Sequence, residues 1–253
     1  MSSRNSIIAT LRTHLEPNPK ILAMWLEGAD ATNAVDEYSD LDLCCSVEAG
    51  SLAQVADQAE QALARLAPLD FRQKLRDEKD FQHWVFHLAG TSAYLLIDFN
   101  LFVARGSEFV VGDTIEQPLV LFDKAHVIRY VSQPERLTAL ARQQRLQELR
   151  DTVAQASRLD KYVKRDEFLE AFGYYQRWLL TPLIEVLRMQ YTPLHPDYFI
   201  VHISRHLPNH VLRRLEVLFK VNSVAEIESK RKEALTFFEE TVAALTHNSE
   251  CGS

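Results

Sequence analysis

The chain has 253 residues, of which 47% are hydrophobic and 25% charged, and these proportions exclude a disordered or fibrous protein. The net charge of −7 argues against a nucleic-acid partner, because proteins that bind nucleic acids through a general basic surface cluster lysine and arginine. No apolar window approaches the roughly 20 residues that span a bilayer, and the cysteines lack the spacing of a disulfide framework or a zinc site. We therefore expect a globular cytoplasmic protein without a membrane partner.

The first half of the chain alternates apolar runs of strand length with helical segments. Helices are predicted at about residues 4–15 and 51–67, with Ser51 as the N-cap of the second. Strands are predicted in five runs: KILAMWLEG, SDLDLCCSV, HWVFHLAG, AYLLIDFNLFV and PLVLFDKAHVI. This mixture predicts an α/β region with a mixed sheet.

The second half has an almost wholly helical pattern. Pro134 is predicted to open a helix that runs to about residue 160. Helical spacing continues over residues 168–191, where Pro182 should kink or divide the helix. A loop rich in proline and histidine then precedes helices at about residues 211–219 and 224–245.

The charge is divided unevenly between these halves. Residues 1–133 contain 11 basic and 19 acidic residues, a net charge of −8, whereas residues 134–253 contain 17 and 16, a net charge of +1. An acidic half joined to a nearly neutral one indicates two modules. The predicted fold class is α+β, with a mixed-sheet domain over 1–133, an all-α helical bundle over 134–248 and a tail at 249–253.

Two aspartates stand one residue apart in the run SDLDLCCSV. Residues two apart in a strand point to the same face, so Asp40 and Asp42 should project side by side while Leu41 and Leu43 turn away. Their mutual repulsion would be relieved by a divalent cation such as Mg²⁺, which prefers oxygen ligands. The pattern predicts a metal site, although Asp-x-Asp also occurs by chance.

A third carboxylate, Asp98, lies within the apolar run YLLIDFNLFV. An aspartate near a strand end is commonly satisfied by backbone donors, which is the ordinary explanation for a single one. Three carboxylates from two strands, however, could hold two Mg²⁺ ions and orient a triphosphate for attack by a hydroxyl. The segment WLEGADATNA before them predicts a strand that ends at Gly28, followed by a turn whose backbone amides could contact phosphate oxygens.

Together these motifs resemble the signature of the DNA polymerase beta nucleotidyltransferase superfamily. The signature has an apolar strand, Gly followed by Gly or Ser, about ten residues, Asp-apolar-Asp-apolar and a later strand aspartate. The two-domain layout is most similar to bacterial antibiotic nucleotidyltransferases, such as aminoglycoside and lincosamide adenylyltransferases, which add a helical bundle. The matching positions here are Gly28-Ala29, Asp40-Leu41-Asp42-Leu43 and Ile97-Asp98-Phe99.

The resemblance implies a role for each matching residue. Asp40 and Asp42 would hold Mg²⁺, and Asp98 would be either a third metal ligand or the general base, between which the sequence does not choose. Ala29 stands where the family usually has Ser, so backbone amides at Gly28 and Ala29, or the Thr32 hydroxyl, are expected to contact the phosphates. Asp30 adds negative charge nearby.

The remaining predictions concern the reaction and its partners. Lys161, in the helical half, is predicted to contact the triphosphate. The resemblance implies transfer of a nucleoside monophosphate, with AMP from ATP as the expected case, to a hydroxyl of a small molecule such as an antibiotic, with release of pyrophosphate. The missing serine leaves an alternative open, a catalytically weak nucleotide-binding sensor or an antitoxin-like interaction module. His83 and His87 are predicted to be structural or substrate-lining, and a homodimer is compatible with this type of enzyme.

Overall fold

The computed structural model describes residues 3–103, 107–132 and 138–250, with side chains up to residue 246. The chain divides into two compact units, Met1–Gln133 and Pro134–Ser253. The first unit combines a mixed sheet with helices, and the second is helical. This architecture confirms the predicted α+β fold class.

A six-stranded mixed sheet forms the centre of the first unit. The strands described along the chain are β1 (Ile21–Leu26), β2 (Leu41–Val47), β3 (Leu69–Asp77), β4 (Phe81–Leu88), β5 (Ile97–Val103), β6 (Ser107–Val110), β7 (Leu119–Asp123) and β8 (Ile128–Val131). Their order in the sheet is β3-β4-β5-β2-β1-β7, and β6 and β8 form a separate parallel pair. The strands β2 and β5 are parallel, whereas the other described pairs of the large sheet are antiparallel. The sheet therefore places the starts of β2 and β5 side by side.

Three helices accompany this sheet: α1 (Arg4–Leu15), α2 (Gly28–Ala31) and α3 (Leu52–Ala64). A capping box between Ser3 and Ser6 starts α1, because each side chain satisfies a backbone amide of the other residue. Apolar side chains of α1 and α3 pack with one face of the sheet, including Leu41 and Leu43 of β2. The other face of β2 carries Asp42, as the alternation along a strand requires.

The second unit contains seven α-helices within its described residues, and their apolar faces share one core. They are α4 (Ala139–Ala154), α5 (Asp160–Lys164), α6 (Phe168–Tyr175), α7 (Thr181–Tyr191), α8 (Ile203–His206), α9 (Asn209–Phe219) and α10 (Val224–Glu250). A 3₁₀ segment at Gln155–Leu159 links α4 to α5, and a π-helical segment at Gln176–Leu180 links α6 to α7.

The long helical pattern changes to a π-helical segment at Gln176–Leu180, directly before α7, and Pro182 lies in the first turn of α7, where the missing proline amide is tolerated. Two boundaries differ from the predictions. The helix α10 runs to residue 250, past the start of the predicted tail, and residues 251–253 lie outside the described residues. The helix α4 begins at Ala139 with Thr138 as its N-cap, whereas Pro134, the predicted start, lies outside the described residues.

Three predictions for the first unit need correction. The strand β3 was not predicted because it is an edge strand with almost every residue exposed, which removes the apolar signal of a buried strand. The run PLVLFDKAHVI forms only β7 and reaches β8, a strand of the other sheet, at its last residue, since Asp123 accepts bonds from the amides of Val127 and Ile128 and turns the chain. Ser51 lies at the N-cap position of α3 but makes no side-chain capping bond.

The hydropathy of the described helices also bears on membrane association. None of the helices in residues 3–103, 107–132 and 138–250 combines the length and the apolar character that crossing a bilayer requires.

Candidate active site

Three aspartates converge where the parallel strands β2 and β5 begin. Asp42 and Asp98 are paired directly across the two strands, and Asp40 immediately precedes β2. One carboxylate oxygen from each residue lies within 4.8 Å of those from the other two. Asp40 is exposed, and the other two are half-buried. The structure therefore brings together the carboxylates that the sequence pattern singled out.

The electrostatics of this cluster are unfavourable for three ionised carboxylates. The pKa of Asp42 is raised to about 7, first by burial and then by repulsion from Asp40, Asp98, Glu27 and Asp30. A cation bound among the carboxylates would offset their mutual repulsion, which is one cause of the raised pKa of Asp42.

Gly28 makes room for one of these carboxylates. Its φ of +61° favours glycine, and a Cβ atom placed there would lie 2.2 Å from Oδ2 of Asp42. The short helix α2 starts at Gly28 and includes Ala29. Thr32, whose hydroxyl was predicted to contact phosphate, donates that hydroxyl to the Gly28 carbonyl at 2.9 Å. The Thr32 proton is therefore already used within the turn.

Glu27 lies beside the cluster and was not among the residues predicted from the sequence. The indole Nε1 of Trp25 donates to its Oε1 at 2.7 Å, and the Cys44 thiol also bonds to its carboxylate. Burial is the largest cause of its raised pKa. The sequence signal that could have identified Glu27 is its position directly before Gly28. Its hydrogen-bond partners come from both β1 and β2, which the sequence does not bring together.

The side chain of Arg4 in α1 forms hydrogen bonds with the loop between Gly28 and Asp40. Its guanidinium pairs with the Asp30 carboxylate at 2.5 Å, donates to the Asp40 carbonyl at 2.8 Å and also donates to the Ser39 carbonyl. The negative charge that Asp30 was expected to add near the phosphates is therefore offset by Arg4. The sequence showed no sign of this pairing, because the two side chains lie 26 residues apart.

His83 and His87 lie on β4, four residues apart, and each contacts an aspartate. Nε2 of His83 lies 2.6 Å from Oδ1 of Asp98, and Nδ1 of His87 lies 2.5 Å from Oδ1 of Asp70. His83 is therefore attached to the aspartate cluster, whereas His87 contacts an aspartate of the edge strand β3.

An aromatic pair lies on the two loops that lead into the aspartate strands. Tyr38 precedes Asp40 by two residues, and Tyr94 precedes Asp98 by four. The two rings meet edge to face at 5.1 Å, yet the residues are 61% and 56% exposed. They offer aromatic surface to a ligand.

Lys161, the predicted triphosphate contact, belongs to the second unit. It is exposed on α5, and its Nζ lies 4.7 Å from the ring centre of Tyr162 and 5.9 Å from that of Tyr174. Its contact with a triphosphate stays a prediction.

The raised pKa of Asp42 predicts a pH-dependent stability without metal. Unfolding returns this pKa from about 7 to near 3.8, so the carboxyl destabilises the fold increasingly as pH rises from about 4 to 7, by at most about 4 kcal/mol. We expect Asp42→Asn to remove that loss and to be more stable than wild type at pH 8. Urea denaturation in EDTA at pH 5 and pH 8 measures the difference, with Asp57→Asn as a control. Equal pH dependence in wild type and Asp42→Asn would contradict the prediction.

Comparison with known proteins identifies a family whose model covers nearly the whole chain. The family model described as streptomycin adenylyltransferase matches residues 1–251. The JHP933 protein of Helicobacter pylori is 12% identical, with a TM-score of 0.29 and coverage of 97% of this chain and 96% of that chain. A candidate nucleotidyltransferase of H. pylori is 9% identical, with a TM-score of 0.29 and coverage of 95% of each chain. TM-scores of 0.29 are too low to support a structural or functional inference. No curated protein matches this chain.

Proposed function

Because this chain belongs to the streptomycin adenylyltransferase family and is a nucleotidyltransferase, we propose that it transfers AMP from ATP to a hydroxyl of a small cationic molecule, with Mg²⁺ as cofactor. The family match confirms the resemblance found in the sequence motifs. The observation that carries the finer proposal is the convergence of Asp40, Asp42 and Asp98 beside Gly28.

The three carboxylates suit Mg²⁺. They offer hard oxygen ligands close together, and their repulsion contributes to the raised pKa of Asp42. The missing Cβ of Gly28 leaves space for the Asp42 carboxylate at the glycine turn. When bound, Mg²⁺ would neutralise charge on the triphosphate and on the departing pyrophosphate.

The proposed reaction is an in-line displacement at phosphorus. The acceptor hydroxyl loses its proton to a base, either Asp98 or water, its oxygen forms a bond to the α-phosphorus, the bond from that phosphorus to the bridging oxygen breaks, and pyrophosphate leaves. The side chains act chiefly by positioning. Asp40 and Asp42 are proposed as ligands, and backbone amides at Gly28 and Ala29 are proposed to contact phosphate.

Asp98 is either the third ligand or the base that accepts the hydroxyl proton. The two roles give different results for Asp98→Asn, which would lose metal affinity if Asp98 is a ligand and retain it if Asp98 is only the base. Mn²⁺ titration of that variant distinguishes them.

The charge and aromatic surface beside the cluster favour a cationic acceptor. The segment from residue 28 to residue 42 contains no lysine or arginine, and it carries Asp36, Glu37, Asp40 and Asp42 besides Asp30, whose charge Arg4 offsets. The exposed rings of the tyrosine pair described above could stack on an ammonium or guanidinium group. A hydroxylated amine such as an aminoglycoside has both features.

One observation supports the alternative of a nucleotide sensor. Ala29 has no hydroxyl, and the Thr32 hydroxyl is bonded to the Gly28 carbonyl, so these two side chains supply no hydroxyl donor to orient the triphosphate for transfer. Under this alternative the protein would bind ATP with Mg²⁺ but release no pyrophosphate with any acceptor. Calorimetry with ATP and Mg²⁺ tests the binding half of that statement.

A pyrophosphate-release screen tests the proposed function. The protein is incubated with Mg²⁺ and each of ATP, GTP, CTP and UTP, against aminoglycosides, lincosamides and common hydroxylated metabolites. We expect release with ATP and a cationic hydroxylated acceptor, and no release without acceptor or in EDTA. Release only with neutral acceptors would contradict the cationic assignment, and tight ATP binding without release would favour the sensor.

A further inference from the structure

We infer that Asp98 acts as the third metal ligand and that His83 is a positioning residue that holds its carboxylate in the cluster, an inference that rests on the proposed function. The observation behind it is the 2.6 Å contact between Nε2 of His83 and Oδ1 of Asp98. Both side chains are about one-fifth exposed, at 22% and 20%. The contact is therefore partly shielded from water, which strengthens a charge-assisted bond.

The register of the sheet explains how His83 reaches this carboxylate. In the antiparallel pair of β4 and β5, His83 lies opposite Asn100 and Val85 lies opposite Asp98. His83 therefore contacts a diagonal neighbour, two residues along β5 from its direct partner. An ionised carboxylate can only accept, so the Nε2–H of His83 donates to Oδ1 of Asp98. This bond limits rotation of the Asp98 carboxylate about its Cβ–Cγ bond.

That restriction matters because Asp98 is paired directly with another acid. Asp42 lies opposite it on β2, and repulsion between two carboxylates on adjacent strands favours their turning apart. Because β4 and β2 flank β5 on opposite sides, the bond from His83 holds Oδ1 of Asp98 on the β4 side and leaves the second carboxylate oxygen for the cluster on the β2 side. Hydrogen-bond partners of metal ligands generally affect metal affinity by about 10- to 100-fold.

His87 provides a matched control on the same strand. It lies four residues from His83, and it makes the same type of histidine–aspartate contact, at 2.5 Å to Asp70. Asp70 belongs to β3 and is not one of the three clustered aspartates. Loss of either histidine removes one histidine–aspartate contact, but of the two only His83 contacts an aspartate of the cluster.

The test compares His83→Leu, His83→Gln and His87→Leu in the full chain. Mn²⁺ binding in the presence of a non-hydrolysable ATP analogue is measured from the electron paramagnetic resonance signal of free Mn²⁺. We expect His83→Leu to raise the Mn²⁺ Kd by about 10- to 100-fold and His87→Leu to leave it unchanged. His83→Gln, whose amide nitrogen can take the place of Nε2, should restore the Kd to within about threefold of wild type.

Thermal unfolding and pyrophosphate release are measured on the same variants. A stability loss shared by His83→Leu and His87→Leu, with a Mn²⁺ defect only in His83→Leu, would support positioning over a structural role. If His83→Leu does not fold, His83→Asn replaces it, because the shorter amide does not reach Asp98.

Two results would overturn the inference, and they differ in what they imply for the proposed function. Wild-type Mn²⁺ affinity in the leucine or asparagine variant, with active wild-type protein, would overturn the role of His83 and leave the proposed function standing. A wild-type protein that neither binds Mn²⁺ nor releases pyrophosphate would overturn both.

Discussion

Replacing Asp42 with asparagine is expected to abolish nucleotidyl transfer while the fold is retained. Asparagine has nearly the same size as aspartate but carries no charge, so the cluster loses the carboxylate that faces both Asp98 and the glycine turn. We expect a loss of about 1,000-fold or more, since charge stabilisation by a bound metal contributes several kcal/mol to the transition state. Pyrophosphate release at saturating ATP measures the change, and circular dichroism verifies the fold.

Two further variants make this result specific. Asp40→Asn should show the same loss, because Asp40 belongs to the same cluster. Asp57→Asn removes an equal charge from an exposed position on α3 and should transfer at the wild-type rate. Wild-type transfer by either Asp40→Asn or Asp42→Asn would rule out the proposed mechanism.

Replacing Gly28 with alanine is expected to lower transfer by about 100-fold, because a displacement of about 1 Å in a positioned group can cost that much. The new Cβ would lie 2.2 Å from Oδ2 of Asp42, so either the carboxylate or the turn must move. The φ of +61° adds a conformational cost of roughly 1–2 kcal/mol for a residue with a Cβ atom. Steady-state kinetics, Mn²⁺ binding and urea denaturation measure these effects.

The variant Gly50→Ala separates the cost of close contact with Asp42 from the cost of backbone strain at a positive φ. Gly50 has a φ of +77°, but a Cβ atom there would meet nothing within 4 Å. Gly90 offers a second position with the same property, at a φ of +78°. Both control variants should lose stability through backbone strain and retain transfer. Should Gly28→Ala transfer as well as these controls, close contact with Asp42 would not be the reason for glycine at this position.

The local pattern of the sequence predicted the elements that carry the proposed site. Apolar runs marked β1, β2, β4 and β5, because buried strands require them. The spacing of Asp40 and Asp42 placed both on one face of the chain, and Gly28 indicated a turn after β1. These inferences needed only residues close together in the chain, whose relative directions follow from the strand period.

The strand β3 and the role of Glu27 could not be predicted, because neither has a clear local pattern in the sequence. The edge strand β3 buries almost none of its residues, so its polar sequence looks like a loop. Glu27 was overlooked because an acid at a strand end is common, and its buried bonds to Trp25 and Cys44 depend on two strands meeting.

By itself, the sequence determined most of the helices, the buried strands, the shared face of the paired aspartates and the family to which the chain belongs, since these depend on local spacing. Only the tertiary structure decided which distant residues meet. The strand order sets Asp98 opposite Asp42 and brings His83 to it, and the packing of the first unit brings Arg4 to Asp30. Such contacts join residues far apart in the chain, and their partners are chosen by how strands pair and helices pack rather than by the residues beside them.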